Sequence, residues 1–161
     1  MRYVIAVGAN LGQAEHVVAG ALSELAERLE GELEGASSLY RTAPVGGPEQ
    51  PEFINAVAIV HSPLQPRDVL GRLQAMEEEA GRIRDVRWGP RTLDLDLIAA
   101  DQVVSGDPDL VIPHPRAHER AFVLVPWLEI DSHAELHSHG SVRAIVERGF
   151  EGQEITVVEG P

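Results

Sequence analysis

The spacing of hydrophobic residues divides the chain into short strands and two longer helices. Apolar residues in short runs, or in strict alternation with polar ones, predict strands at 3–7, 33–40, 53–61 and 93–97. Apolar residues that recur every three or four positions predict helices at about 14–30 and 66–81. A glycine-bounded turn is expected at 8–12, and short elements are expected near 103 and 110, at 141–148 and at 155–158. No linker or repeat interrupts these elements, and 161 residues fit one domain spanning 1–161.

The strand at 93–97 carries acidic residues on one face and leucines on the other. Leu93, Leu95 and Leu97 alternate with Asp94 and Asp96, so both carboxylates share one face. Residues two apart on a strand are separated by roughly 6.5–7 Å, which lets both acids reach one cluster of cations. A small number of hard oxygen ligands suits magnesium shared with substrate phosphates. The alternative is an edge strand with a solvated acidic face.

Four arginines precede this strand. They surround Trp88 and a Gly-Pro turn and are Arg82, Arg84, Arg87 and Arg91. Guanidinium groups bind phosphate oxygens through forked, charge-assisted hydrogen bonds. Beside two aspartates, they predict a site for a magnesium-bound polyphosphate.

Two further segments carry candidate chemistry. A loop rich in proline and glycine at 41–51 leads to Phe53 and Asn55, which share a strand face and could stack on and bind the edge of a flat heterocycle. A core phenylalanine and a turn-capping asparagine are the alternative. The segment 112–122 supplies potential phosphate ligands, namely His114, Arg116, His118 and Arg120.

Three histidines near the C-terminus could suggest zinc, although such residues more often belong to a surface turn. They are His133, His137 and His139.

Composition excludes several classes of protein. The chain has a formal net charge of −13, which argues against nonspecific binding to nucleic acid or to a membrane surface. It contains no lysine, so a Walker A lysine and Schiff-base chemistry are excluded, and no cysteine, so disulfides and thiolate metal sites are excluded. No apolar run approaches the ~20 residues of a membrane span, and no signal-peptide pattern is present. A cytoplasmic enzyme or binding protein is expected.

Four segments together resemble 6-hydroxymethyl-7,8-dihydropterin pyrophosphokinase, an enzyme family of folate biosynthesis. They are VGANLG at 7–12, LYRTAPVGGPEQPEFINA at 39–56, GRIRDVRWGPRTLDLDLI at 81–98 and the Pro-His to Phe run at 113–122. The RWGPRTLDLDL core is the most specific of these signals. The resemblance covers most of the chain to about residue 128.

The resemblance implies roles for single residues. Asp94 and Asp96 resemble ligands of two magnesium ions that bridge ATP phosphates, and Arg82 and Arg91 resemble catalytic arginines that close over the triphosphate. Further ATP contacts are implied at Gln74, Glu77, Arg84, Trp88, Ile98, His114 and Arg120. Contacts with the pterin substrate are implied at Thr42, Ala43, Val45, Phe53, Asn55 and Phe122.

The resemblance also implies a fold and a reaction. The expected fold is α+β, similar to the ferredoxin-like plait, with an antiparallel sheet, packed helices and C-terminal additions. The expected reaction transfers pyrophosphate from ATP to 6-hydroxymethyl-7,8-dihydropterin and releases AMP, in a monomer that needs neither nucleic acid nor membrane. The alternative is a non-catalytic homologue that binds nucleotide or pterin, supported only by Asp109 and Val111, where some members have a basic residue and a threonine. A plain acidic metal-binding protein would leave the arginines and aromatic residues unexplained.

Overall fold

The structure is a computed structural model that describes residues 1–10, 13–43, 52–82 and 93–158. The side chain of Arg82, at the end of the third range, lies outside this description. The elements are, in chain order, β1 (Arg2–Ala9), α1 (Ala14–Arg28), β2 (Glu32–Ala36), β3 (Tyr40–Thr42), β4 (Phe53–His61), α2 (Pro66–Arg82), β5 (Asp94–Ala100), β6 (Ser105–Asp107), β7 (Leu110–Ile112), a 3-10 helix (Ala117–Glu119), α3 (Ala121–Ile130), β8 (Glu135–Leu136), β9 (Gly140–Ser141), α4 (Val142–Arg148) and β10 (Ile155–Val157).

The main sheet has the strand order β10-β3-β4-β1-β5, and β2 pairs with the second half of β4. Every pairing among the described strands is antiparallel. This is the ferredoxin-like arrangement. Strands β5, β1 and β4 lie side by side, β2 and β3 share the next position beside β4, and helices α1 and α2 lie in the connections. The predicted α+β fold with an antiparallel sheet and C-terminal additions is therefore confirmed.

Both faces of the sheet are covered by helices. On one face, α1 and α2 pack against alternate residues of β1, namely Tyr3, Ile5 and Val7. On the other face, α3 and α4 pack against the residues between them, Val4 and Ala6. Because a strand buried on both sides needs apolar residues at every position, this explains the continuous apolar run of β1.

Local signals in the sequence set several element boundaries. Helix α2 begins at Pro66, where the missing N–H would have had no partner within the helix. Helix α4 begins after Ser141, whose Oγ accepts a hydrogen bond from the Ala144 N–H at 3.3 Å. The predicted helices at 14–30 and 66–81 are confirmed to within two residues at each end.

Two predictions of local structure were wrong in part. The expected single strand at 33–40 is divided into β2 and β3 around Ser37. There the Ser37 Oγ, instead of a backbone carbonyl, accepts from the Val57 N–H at 2.9 Å, which interrupts the regular ladder. The turn expected at 8–12 begins later, because Gly8 and Ala9 still pair with β4.

The described helices include none that is long and apolar enough to cross a membrane.

Candidate active site

One end of the sheet brings three candidate residues into a single cross-strand row. Gly8 of β1 pairs with Asp94 of β5 on one side and with Asn55 of β4 on the other. Directly paired residues of antiparallel strands project to the same face, so the Asp94 carboxylate and the Asn55 amide flank a position that has no side chain. The face is the one on which α3 packs, because the intervening leucines of β5 lie in the opposite core. The predicted alternation of β5 is confirmed.

The absence of a side chain at Gly8 is required by the neighbouring amide. A Cβ at this position would lie 2.7 Å from the Asn55 Oδ1, closer than real Cβ atoms approach. Asn55 is only 6% exposed, and its Nδ2 donates a hydrogen bond to the Thr42 Oγ1 at 3.0 Å. This bond fixes the orientation of the amide.

A cavity of about 340 Å³ opens above this row. Eight of the predicted site residues line it, namely Thr42, Ala43, Phe53, Asn55, Asp94, Asp96, Arg120 and Phe122. The structure therefore brings together the acids of β5 and the residues predicted on the pterin side, which come from separate parts of the chain.

Arg120 connects the acidic and aromatic ends of the cavity. Its Nη1 lies 3.9 Å from the Asp96 Oδ2, and its guanidinium carbon lies 5.5 Å from the centre of the Phe122 ring. The side chains of the charged pair are 26% and 41% exposed, so the attraction contributes less than about 1 kcal/mol. A phosphate oxygen could replace the carboxylate at little cost.

The charges of Asp96 and Arg120 both act on the His114 ring. Burial is the main cause that lowers its pKa below the ordinary 6.5, while Asp96 opposes the shift and Arg120 and Arg116 add to it. The lowered pKa favours the neutral form of the ring. Its Nδ1 accepts a hydrogen bond from the Arg116 N–H at 3.2 Å, which places the remaining ring proton on Nε2.

His114 and three further predicted ATP contacts lie outside the cavity lining. Gln74 is exposed on α2, and the Glu77 Oε2 accepts a hydrogen bond from the Leu95 N–H at 2.8 Å, between the two aspartates. Ile98 is fully buried in the core below α3, and its carbonyl accepts a hydrogen bond from the His114 N–H at 2.9 Å. Their roles toward ATP stay predictions.

Several predicted site residues lie outside the described parts of the chain. They are Val45, Arg84, Trp88 and Arg91, together with the side chain of Arg82.

Arg116, predicted as a potential phosphate ligand, also lines the cavity. The sequence missed two groups of cavity residues. Gly8 was interpreted as the beginning of a turn. Gln153 and Glu154 also line the cavity, but the sequence around them shows no periodicity or motif that indicates a site.

The C-terminal histidines do not form a zinc site in the described residues, which contain no group of three or more metal-binding side chains. The His139 ring instead stacks on the His118 ring, with centroids 3.9 Å apart. The alternative of a surface turn is the better interpretation.

Asp109 and Val111 are the two residues that supported the alternative of a non-catalytic homologue. Both are exposed, and neither lines the cavity.

Comparisons with known proteins agree on one family. The family model described as 7,8-dihydro-6-hydroxymethylpterin-pyrophosphokinase matches residues 4–132. A relative from Mycobacterium tuberculosis, named 2-amino-4-hydroxy-6-hydroxymethyldihydropteridine pyrophosphokinase, is 43% identical over 154 residues, covering 89% of this chain and 80% of the relative. A relative of the same name from Bacillus subtilis is 39% identical over 131 residues, covering 81% and 78%.

Solved structures share the fold at low identity. A crystal structure of HPPK-DHPS in complex with substrates superposes with a TM-score of 0.70 at 12% identity, covering 91% of this chain and 43% of that one. Wild-type HPPK-DHPS from Plasmodium falciparum gives a TM-score of 0.69 at 13% identity, covering 91% and 44%. The chain spans less than half the length of these solved chains, and the likeness concerns the fold alone.

Proposed function

This chain belongs to the 7,8-dihydro-6-hydroxymethylpterin-pyrophosphokinase family, and we propose that it transfers the β,γ-pyrophosphoryl group of ATP to the hydroxymethyl oxygen of 6-hydroxymethyl-7,8-dihydropterin in folate biosynthesis. The hydroxymethyl group gives up its proton to water and its oxygen forms a bond to the β-phosphorus. The bond between the β-phosphorus and the oxygen that bridges to the α-phosphorus breaks, and AMP leaves with that oxygen. The observation that carries the proposal is the row from Asp94 through Gly8 to Asn55, which joins an acidic end and an amide-aromatic end in one cavity.

The amide-aromatic end suits a pterin. Phe53 and Phe122 are half-buried and line the cavity, so each ring has a surface left for a flat ligand. Asn55 is held by Thr42 and supplies hydrogen-bonding groups to the edge of a heterocycle. Ala43 lies beside Thr42 in the cavity lining, and we propose that Val45 also contacts the pterin.

The acidic end suits magnesium. Asp94 and Asp96 offer carboxylate oxygens from one strand face, and the described residues hold no third acid or histidine to complete a closed protein site. Such an incomplete ligand set fits a metal that also takes phosphate oxygens and water. We propose that these two residues hold two Mg²⁺ ions, which when bound would neutralise triphosphate charge and lower the pKa of the attacking hydroxyl.

Cationic and neutral donors would position the triphosphate. Arg120 lies within reach of the Asp96 carboxylate, and the Nε2–H of neutral His114 can donate to a phosphate oxygen. We propose that Arg82 and Arg91 neutralise charge on the transferred group. Arg84 and Trp88, from the same segment of the sequence, are proposed to contact ATP. Gln74, Glu77 and Ile98 are assigned lesser ATP contacts. In-line positioning and charge stabilisation supply most of the catalysis in phosphoryl transfer.

The working form proposed here is a monomer of one domain, 1–161, in the cytoplasm, where its ATP is available. Neither nucleic acid nor a membrane is proposed as a partner, in line with the net charge of −13.

A single incubation tests the reaction. The protein is mixed with ATP, magnesium and hydroxymethyldihydropterin, and the nucleotides are separated by chromatography, with a matched sample that lacks the pterin. Pterin-dependent AMP is expected. ADP as the main product would refute the proposal, and binding of both ligands without AMP would establish the non-catalytic alternative.

A further inference from the structure

The C-terminal segment 150–158 reaches the cavity although it lies beyond the residues that the family model matches. Its strand β10 pairs with β3, where Ile155 lies opposite Thr42. The Val158 N–H also donates to the Leu39 carbonyl at 2.8 Å. These contacts anchor the segment beside Thr42 and place Gln153 and Glu154 in the cavity lining.

Gln153 contacts the backbone on both sides of Arg120. Its Oε1 accepts a hydrogen bond from the Ala121 N–H at 3.0 Å, and its Nε2 donates to the Glu119 carbonyl at 2.8 Å. One amide therefore bridges the end of the 3-10 helix and the start of α3. An amide side chain is suited to this position because it offers an acceptor and a donor on adjacent atoms.

The first turn of α3 has no cap of its own. Arg120 occupies the N-cap position in an extended conformation, with φ −112° and ψ 106°, and its side chain makes no capping hydrogen bond. Because the first N–H groups of a helix lack partners within the helix, Gln153 satisfies one of them from outside. The Arg120 side chain is thereby left to point at Asp96.

We infer that Gln153 is a positioning residue for the reaction. Its two hydrogen bonds fix the backbone of Glu119 and Ala121, on either side of Arg120. They thereby hold the Arg120 guanidinium at the phosphate end of the cavity and the Phe122 ring at the pterin end. The inference rests on the proposed function for the identity of the two ligands. Both polar atoms of the Gln153 side chain are used in these backbone hydrogen bonds. Its effect on the reaction passes through Arg120 and Phe122.

The inference differs from a purely structural role, in which Gln153 only caps α3. A cap that matters for stability alone would lower the melting temperature and leave kcat and both KM values unchanged in the folded protein. A positioning residue changes kinetic constants under conditions in which the variant is fully folded. Its effect also depends on the presence of the residue that it positions.

Two variants separate these roles. Gln153→Met keeps the length of the side chain and removes both hydrogen bonds. Gln153→Glu keeps an acceptor for the Ala121 N–H, where a negative charge also favours a helix N-terminus, but cannot donate to the Glu119 carbonyl when ionised. The second variant therefore keeps the cap and folds even if the first does not. Glu151→Gln, on the exposed turn of the same segment, is the matched control.

Steady-state kinetics with AMP detection should show kcat lowered about 5- to 30-fold in Gln153→Met, as expected for one or two lost hydrogen bonds, and a raised KM for the pterin. Gln153→Glu should lower kcat in the same direction with a melting temperature close to that of the parent. In an Arg120→Ala background, Gln153→Met should lower kcat by less than twofold, because the positioned guanidinium is already absent, whereas the KM for the pterin should still rise, because Phe122 remains. Glu151→Gln should match the parent.

Unchanged kcat and KM in folded Gln153→Met would overturn the inference. It would also be overturned if Gln153→Met lowered kcat equally in the parent and in the Arg120→Ala background. Calorimetric titration with magnesium-ATP and with pterin provides a readout that needs no turnover, and weaker binding by Gln153→Met is expected there. A parent protein that binds both ligands but forms no AMP would refute the proposed function, while the same titrations would still decide the role of Gln153.

Discussion

Replacing Gly8 with alanine tests whether the row across β5, β1 and β4 forms the floor of the substrate site. The new Cβ would lie 2.7 Å from the Asn55 Oδ1, whereas ordinary contact begins at 3.4 Å, so the amide has to retreat by about 0.7 Å. The other end of the amide donates to the Thr42 Oγ1 at 3.0 Å and cannot move that far while keeping this bond. The methyl group would also occupy space in the cavity between Asn55 and Asp94.

The expected cost follows from the burial of the amide. Asn55 is 6% exposed, and a buried polar group that loses its partner costs about 1–3 kcal/mol. If the displaced amide also fails to bind the pterin edge, the dissociation constant should rise about 5- to 150-fold, the range that corresponds to the same energies. The affinity for magnesium-ATP should change less, because the close contact of the new methyl group is with the Asn55 amide, and Asp96 lies one row further along β5.

The assay is a calorimetric titration with pterin and with magnesium-ATP, combined with a thermal melt. Gly20→Ala is the matched control, because Gly20 lies inside α1 and a Cβ there meets nothing within 4 Å. Removing that glycine from a helix should raise stability by about 0.5–1 kcal/mol and leave both affinities unchanged. Pterin binding by Gly8→Ala that equals that of the parent would refute the assignment of Asn55 and Gly8 to the pterin site.

Three further substitutions test other parts of the molecule. Asp96→Asn should melt within a few degrees of the parent, because its contact with Arg120 is long and exposed, and should lose nearly all AMP formation; normal turnover would move the metal site elsewhere. Phe122→Ala should raise the dissociation constant of the pterin about 2- to 12-fold, which corresponds to the ~0.5–1.5 kcal/mol of a lost aromatic stack, and should leave ATP affinity unchanged. Equal loss of affinity for both ligands would indicate a core residue instead. Hydrogen bonding to Arg2 lowers the pKa of Glu34 from 4.5 to about 2, so its ionised form stabilises the fold above pH 4.5 and this contribution is lost as the pH falls toward 2. Glu34→Gln should therefore unfold more easily than the parent at pH 7, by about 1 kcal/mol or less for so exposed a group, and the difference should vanish near pH 2 in denaturant titrations; a constant difference would contradict the assignment.

Regular hydrophobic periods predicted most of the helices and strands, whereas the ferredoxin-like arrangement was implied by the family resemblance. The apolar stripes of α1 and α2 and the alternation of β5 depend only on local spacing, and their boundaries were close to those observed. The division between β2 and β3 was not predictable in this way. It depends on the Ser37 hydroxyl replacing a carbonyl as acceptor for the Val57 N–H, and such a bond between residues twenty positions apart leaves no local pattern.

The residues of the candidate site show the same difference between local patterns and long-range contacts. Asp94 and Asp96 were predicted from their shared strand face together with the neighbouring arginines, and the pterin-side residues were implied by the family resemblance. Gln153 was missed because its importance comes from two contacts with the backbone around Arg120, more than thirty positions away. Glutamine is an ordinary surface residue, and nothing in its neighbouring sequence distinguishes a bridging amide from a solvated one.

Among the arginines that the structure describes with an acidic partner, those in the cavity lining are held most loosely. Away from the cavity, arginines contact acidic oxygens at 2.7–3.2 Å, namely Arg2, Arg28, Arg41, Arg67 and Arg72. The two arginines in the cavity lining are held more loosely, Arg116 at 3.6 Å from Glu119 and Arg120 at 3.9 Å from Asp96. At these separations a carboxylate does not occupy the guanidinium hydrogen bonds, so a phosphate oxygen gains them without first breaking a close pair. Among the described arginines with ion-pair contacts, the positive charge that is most available to an anion therefore lies at the cavity, although the chain as a whole carries −13.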